Sequence, residues 1–222
     1  MEKSHQAVCE SVLAAARGMI TTGLTAGTSG NVSARLDDGR IVITPTSMPY
    51  DQMTIDDLVL LSAEGEQLAG SRAPSSERLL HLACYRAFGE VGSVLHSHPA
   101  WATMFACAGQ PVPPVIDEAV LFVGGEVKVA EYAMSGTAEV GTHAVRALGE
   151  AGSALLANHG LVTVAASPEA ALRQAGVVEH CARVAWGVRA LGGYVPLPDQ
   201  TLRQFAAVYR SSRLGSAAGQ SG

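Results

Sequence analysis

The sequence predicts one α/β domain that combines helices with a sheet built largely from strands that are neighbours along the chain. Apolar residues recur at the three- and four-residue spacing of helices in some segments and alternate or cluster as in strands in others, and the links between these segments are short. The chain has 222 residues, of which 48% are hydrophobic, and this is enough for one substantial core. We therefore assign residues 1–210 to one domain and residues 211–222, which are small and polar, to a mobile tail.

Five elements are predicted in the first part of the chain. Residues 4–23 carry apolar side chains at helical spacing, which indicates a helix with one apolar face that ends at Gly23. Two prolines hold residues 45–50 out of regular structure. The other elements are a strand over 32–36, a strand over 41–44, a strand over 58–61 and a helix that begins at Ser75.

The second part of the chain is predicted to hold the residues of a reactive centre on strands and turns. An apolar strand leads into His96, and a short helix is expected over 100–108. A hairpin over 154–164 places His159 at its tip. The remaining elements are a strand over 127–130, a helix over 136–149, a long helix from Pro168 to Gly192 and a last helix over 198–210.

A His-x-His pair follows the apolar residues Val94 and Leu95. Because side chains alternate along a strand, His96 and His98 are expected on the same face, close enough to share one metal ion. An isolated His-x-His pair is equally typical of two histidines at the end of a strand whose ring nitrogens make hydrogen bonds and bind no metal. A third histidine, His159, strengthens the metal interpretation, since three histidines are the ligand set with which zinc keeps positions open for a substrate. We predict one zinc ion, or another divalent metal, per subunit.

Glu77 is the carboxylate predicted to act beside this metal. It stands at the start of a helix, where the helix dipole favours an acid by about 0.3–1 kcal/mol, so that a capping role alone also explains it. A metal-centred reaction that moves a proton on carbon needs a general base, and Glu77 is the best placed carboxylate. The two interpretations are compatible.

Hydroxyl and amide residues cluster in three segments that could surround a phosphate group. The helix that begins with Ser75 and Ser76 offers a phosphate site at its amino end. The glycine-rich segment 27–31 either lines an anion-binding concavity or is an ordinary turn. Thr46 and Ser47 are further candidate phosphate donors.

Charge and cysteine usage limit the partners and the compartment. The formal net charge is -5, and no cluster of lysine and arginine offers a surface for nucleic acid or an anionic membrane. The four cysteines are scattered without a Cys-x-x-Cys pair, which favours a reducing compartment. No leader or membrane-length apolar run is evident. We therefore expect a soluble, cytoplasmic protein that binds neither nucleic acid nor membrane.

Five motifs occur in a fixed order over most of residues 5–195. They are Gly27-Thr28-Ser29-Gly30-Asn31-Val32-Ser33, Ile43-Thr44-Pro45-Thr46, Pro74-Ser75-Ser76-Glu77, His96-Ser97-His98 and Asn158-His159-Gly160. This series resembles the class II aldolase and adducin-head superfamily, most closely its L-fuculose-phosphate aldolase branch and the related ribulose-phosphate epimerases. The resemblance implies an α/β/α sandwich around a mostly antiparallel, mixed sheet. It also implies a homotetramer with fourfold symmetry and active sites at the subunit borders.

The resemblance further implies a role for each residue of the site. The zinc ligands are His96, His98 and His159, with Glu77 as acid/base and as an additional ligand in the empty site. The residues around the phosphate are Thr28, Asn31, Thr46, Ser47, Ser75 and Ser76. Tyr209 matches a catalytic tyrosine near the carboxyl end. On the aldehyde side, Glu118 replaces a tyrosine and Ser135 replaces a phenylalanine, so the chain departs from these aldolases where the leaving aldehyde would lie.

Three functions compete at this point. The first is a zinc-dependent aldolase that reversibly cleaves a ketose 1-phosphate, similar to L-fuculose 1-phosphate, into dihydroxyacetone phosphate and an aldehyde. The second is a metal-dependent decarboxylase, epimerase or dehydratase of a phosphorylated sugar or sugar acid within the same superfamily. The third is a binding module like the adducin heads, in which the fold persists without metal, but the three histidines and Glu77 argue against it.

Overall fold

One mixed sheet runs through the structure, a computed structural model that describes residues 3–218. Its strands are β1 (Asn31–Arg35), β2 (Ile41–Ile43), β3 (Val59–Leu61), β4 (Gln67–Ala69), β5 (Ser93–Ser97), β6 (Val129–Ala130), β7 (Ser153–Leu156) and β8 (Gly160–Ala165). Their order across the sheet is β4-β3-β2-β1-β5-β8-β7-β6. The pairing of β6 with β7 is parallel, and the other neighbours are antiparallel. Sequence neighbours therefore pair in most of the sheet, as expected from the short links.

Helices cover both faces of this sheet. They are α1 (Lys3–Thr21), α2 (Arg78–Ala87), α3 (Ala100–Cys107), α4 (Asp117–Val123), α5 (Ala138–Leu148), α6 (Pro168–Ala190) and α7 (Asp199–Ala218), with a short 3-10 helix at Ile55–Asp57. Leu95 of β5 packs in a core with α1, α3, α4 and α6, whereas its neighbour Val94 packs in a second core with α2 and α5. Because side chains alternate along the strand, neighbouring residues of β5 pack in two different cores, one on each face of the sheet. The α/β/α sandwich around a mostly antiparallel, mixed sheet is confirmed.

The edge strand β4 and the start of α2 differ from the sequence-based expectation. β4 was not expected, because its three side chains are all exposed and give no alternation of apolar and polar residues. It forms as an edge strand through its pairing with β3. The helix expected to begin at Ser75 begins at Arg78, since Ser75 and Ser76 form a turn before it.

The last helix also differs, because it continues to Ala218 rather than ending at Arg210. Arg213 anchors this extension: its Nε donates to Glu90 Oε1 at 3.0 Å, and its side chain also donates to the Glu150 carbonyl oxygen at 2.8 Å. Residues 219–222 of the expected tail lie outside the described residues. The mobility of residues 219–222 and the assignment of residues 1–210 to one domain remain predictions. None of the helices within residues 3–218 has the length and hydropathy of a membrane span.

Candidate metal centre and active site

Three histidines from two parts of the chain meet at one end of the central strands. His96 belongs to β5, His98 follows the end of β5, and His159 lies in the turn between β7 and β8. Their ring centroids are 4.6, 4.7 and 5.1 Å apart. One ligand nitrogen from each ring lies within 4.8 Å of the others. The structure therefore brings together the three residues that the sequence predicts as metal ligands.

The residues on either side of His159 allow its turn to approach β5. Asn158 has a positive φ of 53°, a conformation that asparagine tolerates better than most residues with a Cβ atom. A Cβ atom on Gly160 would lie 2.5 Å from the Ser97 carbonyl oxygen and 2.8 Å from Cδ2 of His98. A larger residue at position 160 would push the turn away from the other two histidines.

The backbone determines which nitrogen of His96 carries the proton. Its Nδ1 lies 3.0 Å from the carbonyl oxygen of Leu161, which can only accept a hydrogen bond, so Nδ1 is the donor. The side chain is fully buried, and this burial lowers the pKa of His96, which favours the neutral ring. The lone pair on Nε2 then faces Nε2 of His98 at 2.8 Å and Oε2 of Glu77 at 3.2 Å. His96 is thus oriented to offer Nε2 to a cation.

The Glu77 carboxylate lies beside two of the histidines and is held by two donors. Asn31 Nδ2 donates to Oε2 at 2.9 Å, and Ser135 Oγ donates to Oε1 at 2.8 Å. Nε2 of His96 and Nε2 of His159 lie 3.2 and 3.3 Å from the two carboxylate oxygens. Burial works against the charged form of Glu77, but the hydrogen bonds that Ser135 and Asn31 donate to its two oxygens favour that form and hold its pKa below the usual range.

The side chain of Glu77 does not cap its helix. Glu77 is the N-cap residue of α2, yet its carboxylate makes no hydrogen bond to the first turn of that helix. Instead, Ser75 Oγ accepts a hydrogen bond from the backbone N–H of Glu77 at 3.2 Å. The carboxylate is therefore available to the centre formed by the histidines.

The donor set around this centre suits a divalent metal such as zinc. It combines three imidazoles with a carboxylate whose charge offsets that of the ion, and no thiolate takes part. The lone pairs of His96 Nε2 and Glu77 Oε2 point into the same space, an arrangement that a shared cation relieves. With three histidine ligands, positions would stay open for a substrate.

Two of the segments predicted to bind phosphate lie side by side. The backbone N–H of Thr46 donates to the Ala73 carbonyl oxygen at 3.1 Å, and the backbone N–H of Ser75 donates to the Thr44 carbonyl oxygen at 3.1 Å. This pairing places Thr46 and Ser47 next to the turn that precedes α2. The third segment, the glycine-rich turn, is joined to them by a hydrogen bond from Tyr50.

The hydroxyl of Tyr50 donates to the carbonyl oxygen of Gly30 at 2.5 Å, and this bond ties the loop after Ser47 to the glycine-rich turn. Ser47 itself has a positive φ of 54°, an uncommon conformation for a residue with a Cβ atom. The predicted phosphate residues with exposed side chains are Thr28, Thr46, Ser47 and Ser76, whereas Ser75 is buried. The three segments thus present several hydroxyl groups to solvent, and those of Thr46, Ser47 and Ser76 lie at or next to the turn that precedes α2.

Asn31, predicted as a phosphate residue, is engaged by two other residues of the site. Its side chain is buried, with Nδ2 bonded to Glu77 and Oδ1 lying 2.5 Å from Nε2 of His81. Each end of the amide is engaged by one partner, and a direct contact between Asn31 and phosphate would use the second N–H of Nδ2. In the structure, Asn31 supports the carboxylate.

The two residues predicted on the aldehyde side lie in different places. Ser135 contacts the centre through its hydrogen bond to Glu77. Glu118 is exposed in the first turn of α4. Its carboxylate adds to the effect of burial in raising the pKa of Cys181 on α6, which places it beside that helix. Within one chain, the structure therefore joins Ser135 to the centre and leaves Glu118 against α6.

Tyr209 is likewise distant from the histidines of its own chain. The ring packs on Gly124 and Gly152: a Cβ atom on Gly124 would lie 2.7 Å from Cε1 of Tyr209, and one on Gly152 would lie 2.4 Å from its hydroxyl oxygen. Gly152 precedes β7, whereas His159 follows it, so the two lie at opposite ends of that strand. Tyr209 therefore cannot reach the histidines of its own chain. For the predicted catalytic role, a second copy of the chain would have to supply this residue.

His81 belongs to the site although the sequence analysis did not single it out. It is buried on α2 and lies within hydrogen-bonding distance of Asn31, which in turn donates to Glu77. Glu77, His81 and Tyr85 are spaced by four residues, and this spacing places them on one face of a helix. That spacing is the signal by which His81 could have been found.

Comparisons with known proteins agree with this geometry. The family model described as "Class II Aldolase and Adducin N-terminal domain" matches residues 10–186. A 5-methylthioribulose-1-phosphate/5-deoxyribulose-1-phosphate aldolase from Rhodospirillum rubrum is 35% identical over 186 residues, which cover 84% of this chain and 83% of that protein. An L-fuculose phosphate aldolase from Escherichia coli K12 is 33% identical over 179 residues, with 81% and 82% coverage.

A solved structure of an L-fuculose 1-phosphate aldolase superimposes with a TM-score of 0.87 at 30% sequence identity, and the match covers 91% of this chain and 96% of that one. Family model, relatives and solved structure all agree with the resemblance that the motifs predict. The chain therefore belongs to the class II aldolase and adducin N-terminal domain family, in which the class II aldolases are metal-dependent, and it is an aldolase.

Proposed function

We propose that the protein is a zinc-dependent aldolase that reversibly cleaves a ketose 1-phosphate into dihydroxyacetone phosphate and an aldehyde. The observation that carries this proposal is the carboxylate of Glu77, held 3.2 and 3.3 Å from Nε2 of His96 and His159. A base beside an open metal centre is what a proton transfer on carbon next to a carbonyl group requires. We assign His96, His98 and His159 as the zinc ligands.

Each part of the site has a separate task in this proposal. Zinc, when bound, would supply a Lewis acid for the hydroxyl and carbonyl oxygens of the ketose. In the direction of condensation, Glu77 removes a proton from the hydroxymethyl carbon of dihydroxyacetone phosphate, and in cleavage it returns this proton. Asn31 and Ser135 donate to Glu77 and keep it ionised and ready to act as a base. The hydroxyl groups before α2 bind the phosphate.

The phosphate assignment predicts a loss of affinity on removal of a single hydroxyl. We expect Ser76→Ala and Thr46→Ala each to raise the KM for the ketose 1-phosphate, and the Kd for inorganic phosphate, by roughly 10- to 100-fold. This range corresponds to the loss of one hydrogen bond to a charged group, worth about 1.5–3 kcal/mol. Isothermal titration calorimetry with inorganic phosphate and steady-state kinetics measure the two quantities.

Thr142→Ala is the matched control for these variants. Thr142 is exposed on α5, and its hydroxyl donates to the Ala138 carbonyl oxygen of the same helix. Its loss should leave both constants unchanged. Wild-type phosphate affinity in both Ser76→Ala and Thr46→Ala would remove the phosphate role from these segments.

The relatives guide the choice of substrates for a direct test. Their names specify L-fuculose phosphate, 5-deoxyribulose 1-phosphate and 5-methylthioribulose 1-phosphate. These compounds share a ketose 1-phosphate end and differ in the aldehyde that leaves. We propose a substrate of this class, similar to L-fuculose 1-phosphate at the phosphate end. Glu118 and Ser135, where this chain departs from related aldolases, are proposed to set the choice of aldehyde.

The decisive experiment follows the release of dihydroxyacetone phosphate from these three ketose 1-phosphates. The purified protein is assayed as isolated, after dialysis against a chelator, and after addition of zinc. We expect release from at least one substrate, loss of release with the chelator, and recovery with zinc. Full activity without metal, or consumption of a substrate without release of dihydroxyacetone phosphate, would contradict the proposal.

The same experiment separates the alternative functions. A decarboxylase, an epimerase or a dehydratase would leave dihydroxyacetone phosphate absent, whereas a binding module like the adducin heads would hold no stoichiometric metal. A solved structure described as a putative aldolase/epimerase/decarboxylase, YgbL from Escherichia coli, is 26% identical to this chain with a TM-score of 0.84. Products should therefore be identified by mass spectrometry in addition to the coupled assay.

We further propose a fourfold homotetramer in a reducing, cytoplasmic compartment. The position of Tyr209, away from the histidines of its own chain, supports an assembly in which a second copy completes the site. Cys9, Cys84, Cys107 and Cys181 are all free, which suits a reducing compartment. Sedimentation of the purified protein would test the assembly.

A further inference from the structure

A buried row of polar side chains connects α2 to β1 behind the proposed catalytic carboxylate. Glu77, the N-cap residue of α2, and His81 and Tyr85 of this helix share one face because they are four residues apart. On β1, Asn31 and Ser33 share one face because they are two residues apart. All five side chains are buried, and the helical face lies against the strand face.

The hydrogen bonds along this row form one continuous chain. Tyr85 Oη lies 2.8 Å from Ser33 Oγ, which lies 2.6 Å from Nδ1 of His81. On the other side of the ring, His81 Nε2 lies 2.5 Å from Oδ1 of Asn31. Asn31 Nδ2 then donates to Oε2 of Glu77 at 2.9 Å. Four hydrogen bonds therefore link the tyrosine to the carboxylate.

The direction of each bond follows from the ionised carboxylate at its end. Since Glu77 can only accept, Asn31 must turn its NH2 group toward it and its carbonyl oxygen toward His81. The carbonyl oxygen also only accepts, so Nε2 of His81 carries a proton. Burial keeps the ring neutral, and Nδ1 therefore accepts from the Ser33 hydroxyl, which in turn accepts from Tyr85.

The opposite orientation of Asn31 would place two acceptors against each other. A flipped amide would set its carbonyl oxygen at the position of Nδ2, which is 2.9 Å from Oε2 of Glu77. The flipped amide would also present its NH2 group to a His81 nitrogen that would have to lose its proton. The Glu77 carboxylate and the proton on Nε2 of His81 thus favour the same orientation of Asn31, and the loss of this proton would remove one of the two constraints.

We propose that His81 is a positioning residue for Glu77. Through its Nε2 proton it holds the Asn31 amide in the orientation that donates to the carboxylate, while Ser33 and Tyr85 hold His81 in the required tautomer. This inference rests on the base role of Glu77 in the proposed function. It adds a residue that touches neither the substrate nor the metal ligands, and whose effect reaches the reaction through Asn31.

A comparison of three variants at this position tests the role of the Nε2 proton. His81→Gln places an amide donor near the position of Nε2 and can still donate to Asn31. His81→Asn is too short to reach Asn31, and His81→Leu has no donor. We expect His81→Asn and His81→Leu to lower kcat by about 10- to 100-fold with little change in KM, the range typical of a lost supporting hydrogen bond, and His81→Gln to recover most of this loss.

Controls separate this effect from general destabilisation. His143→Leu removes a half-buried histidine of α5 whose Nδ1 donates to the Glu131 carbonyl oxygen away from the centre, and it should leave kcat unchanged. Metal content and thermal unfolding are measured for each variant. Equal kcat in His81→Leu and the wild type, at equal metal content, would overturn the proposal. So would a His81→Gln variant as impaired as His81→Leu at comparable stability.

A spectroscopic measurement on the wild-type protein tests this chain of hydrogen bonds even if the protein cleaves no ketose 1-phosphate. Nitrogen-15 NMR of the histidine-labelled full-length protein distinguishes a protonated Nε2 from a protonated Nδ1, and the His81→Gln variant assigns the signals. We expect a neutral His81 with its proton on Nε2 at neutral pH. A proton on Nδ1, or a charged ring, would overturn the proposed chain, whereas an absence of aldolase activity with the expected tautomer would count against the proposed function alone.

Discussion

Replacement of any one of His96, His98 and His159 with alanine is expected to remove the bound metal and the aldolase activity together. Each ring contributes one of three closely spaced ligand nitrogens, all within 4.8 Å of one another, and two imidazoles alone hold zinc poorly. His159→Ala is the cleanest of the three, because this residue lies in a turn and its side chain is 18% exposed. Metal content by inductively coupled plasma mass spectrometry and the rate of dihydroxyacetone phosphate release are the two measurements.

His180→Ala provides the control for this experiment. His180 is exposed on α6 and lies outside the group of histidines that could hold a metal. Its replacement should leave metal content, kcat and thermal unfolding unchanged. A His159→Ala variant that keeps both stoichiometric metal and activity would remove His159 from the metal site.

The three histidines could be predicted because local rules determine where they lie. Strand alternation and the length of the apolar run place His96 and His98 at the end of β5. The Asn-His-Gly sequence of the hairpin turn places His159 beside them, through the positive φ of Asn158 and the absence of a Cβ atom at Gly160. The antiparallel pairing of β5 with β8 brings the end of β5 next to this turn.

Other parts of the site depend on contacts between elements that are distant in sequence. The hydrogen bond of Ser135 to Glu77 joins the loop after β6 to the start of α2, and no local pattern indicates this contact. The resemblance to the family assigns Asn31 to the phosphate, and the packing of α2 on β1 brings its amide to Glu77 and His81, which no local pattern indicates. In both cases a contact between segments that are distant in sequence decides the partner.

The positions of Glu118 and Tyr209 could not be predicted for a related reason. Both lie on helices, α4 and α7, that pack against α6 or against each other rather than against the edge where the histidines meet. Resemblance to a family assigns such residues a role without saying which copy of the chain supplies them. Their proposed roles therefore depend on the assembly, whereas those of the histidines and Glu77 do not.

Glu77→Gln is expected to keep the metal and to lower kcat by roughly 10²–10⁴-fold, the range typical of a lost general acid or base. Glutamine preserves the size of the side chain. Because His81 holds the Asn31 amide, the glutamine oxygen would face Asn31 and its NH2 group would face Ser135, whose hydroxyl can turn to accept. The variant should therefore fold and retain its hydrogen bonds while it lacks a group that can take a proton from carbon.

Glu139→Gln separates catalysis from the effect of an acid at a helix end. Glu139 is exposed in the first turn of α5, so its replacement removes a comparable interaction with a helix dipole without touching the centre. We expect wild-type kcat for this control and a comparably small change in the free energy of unfolding. If Glu77→Gln also retained wild-type kcat and lost only stability, the acid at position 77 would serve its helix alone. If it lost metal and activity together, Glu77 would act as a metal ligand, because the loss of a base leaves the three imidazoles free to hold the ion.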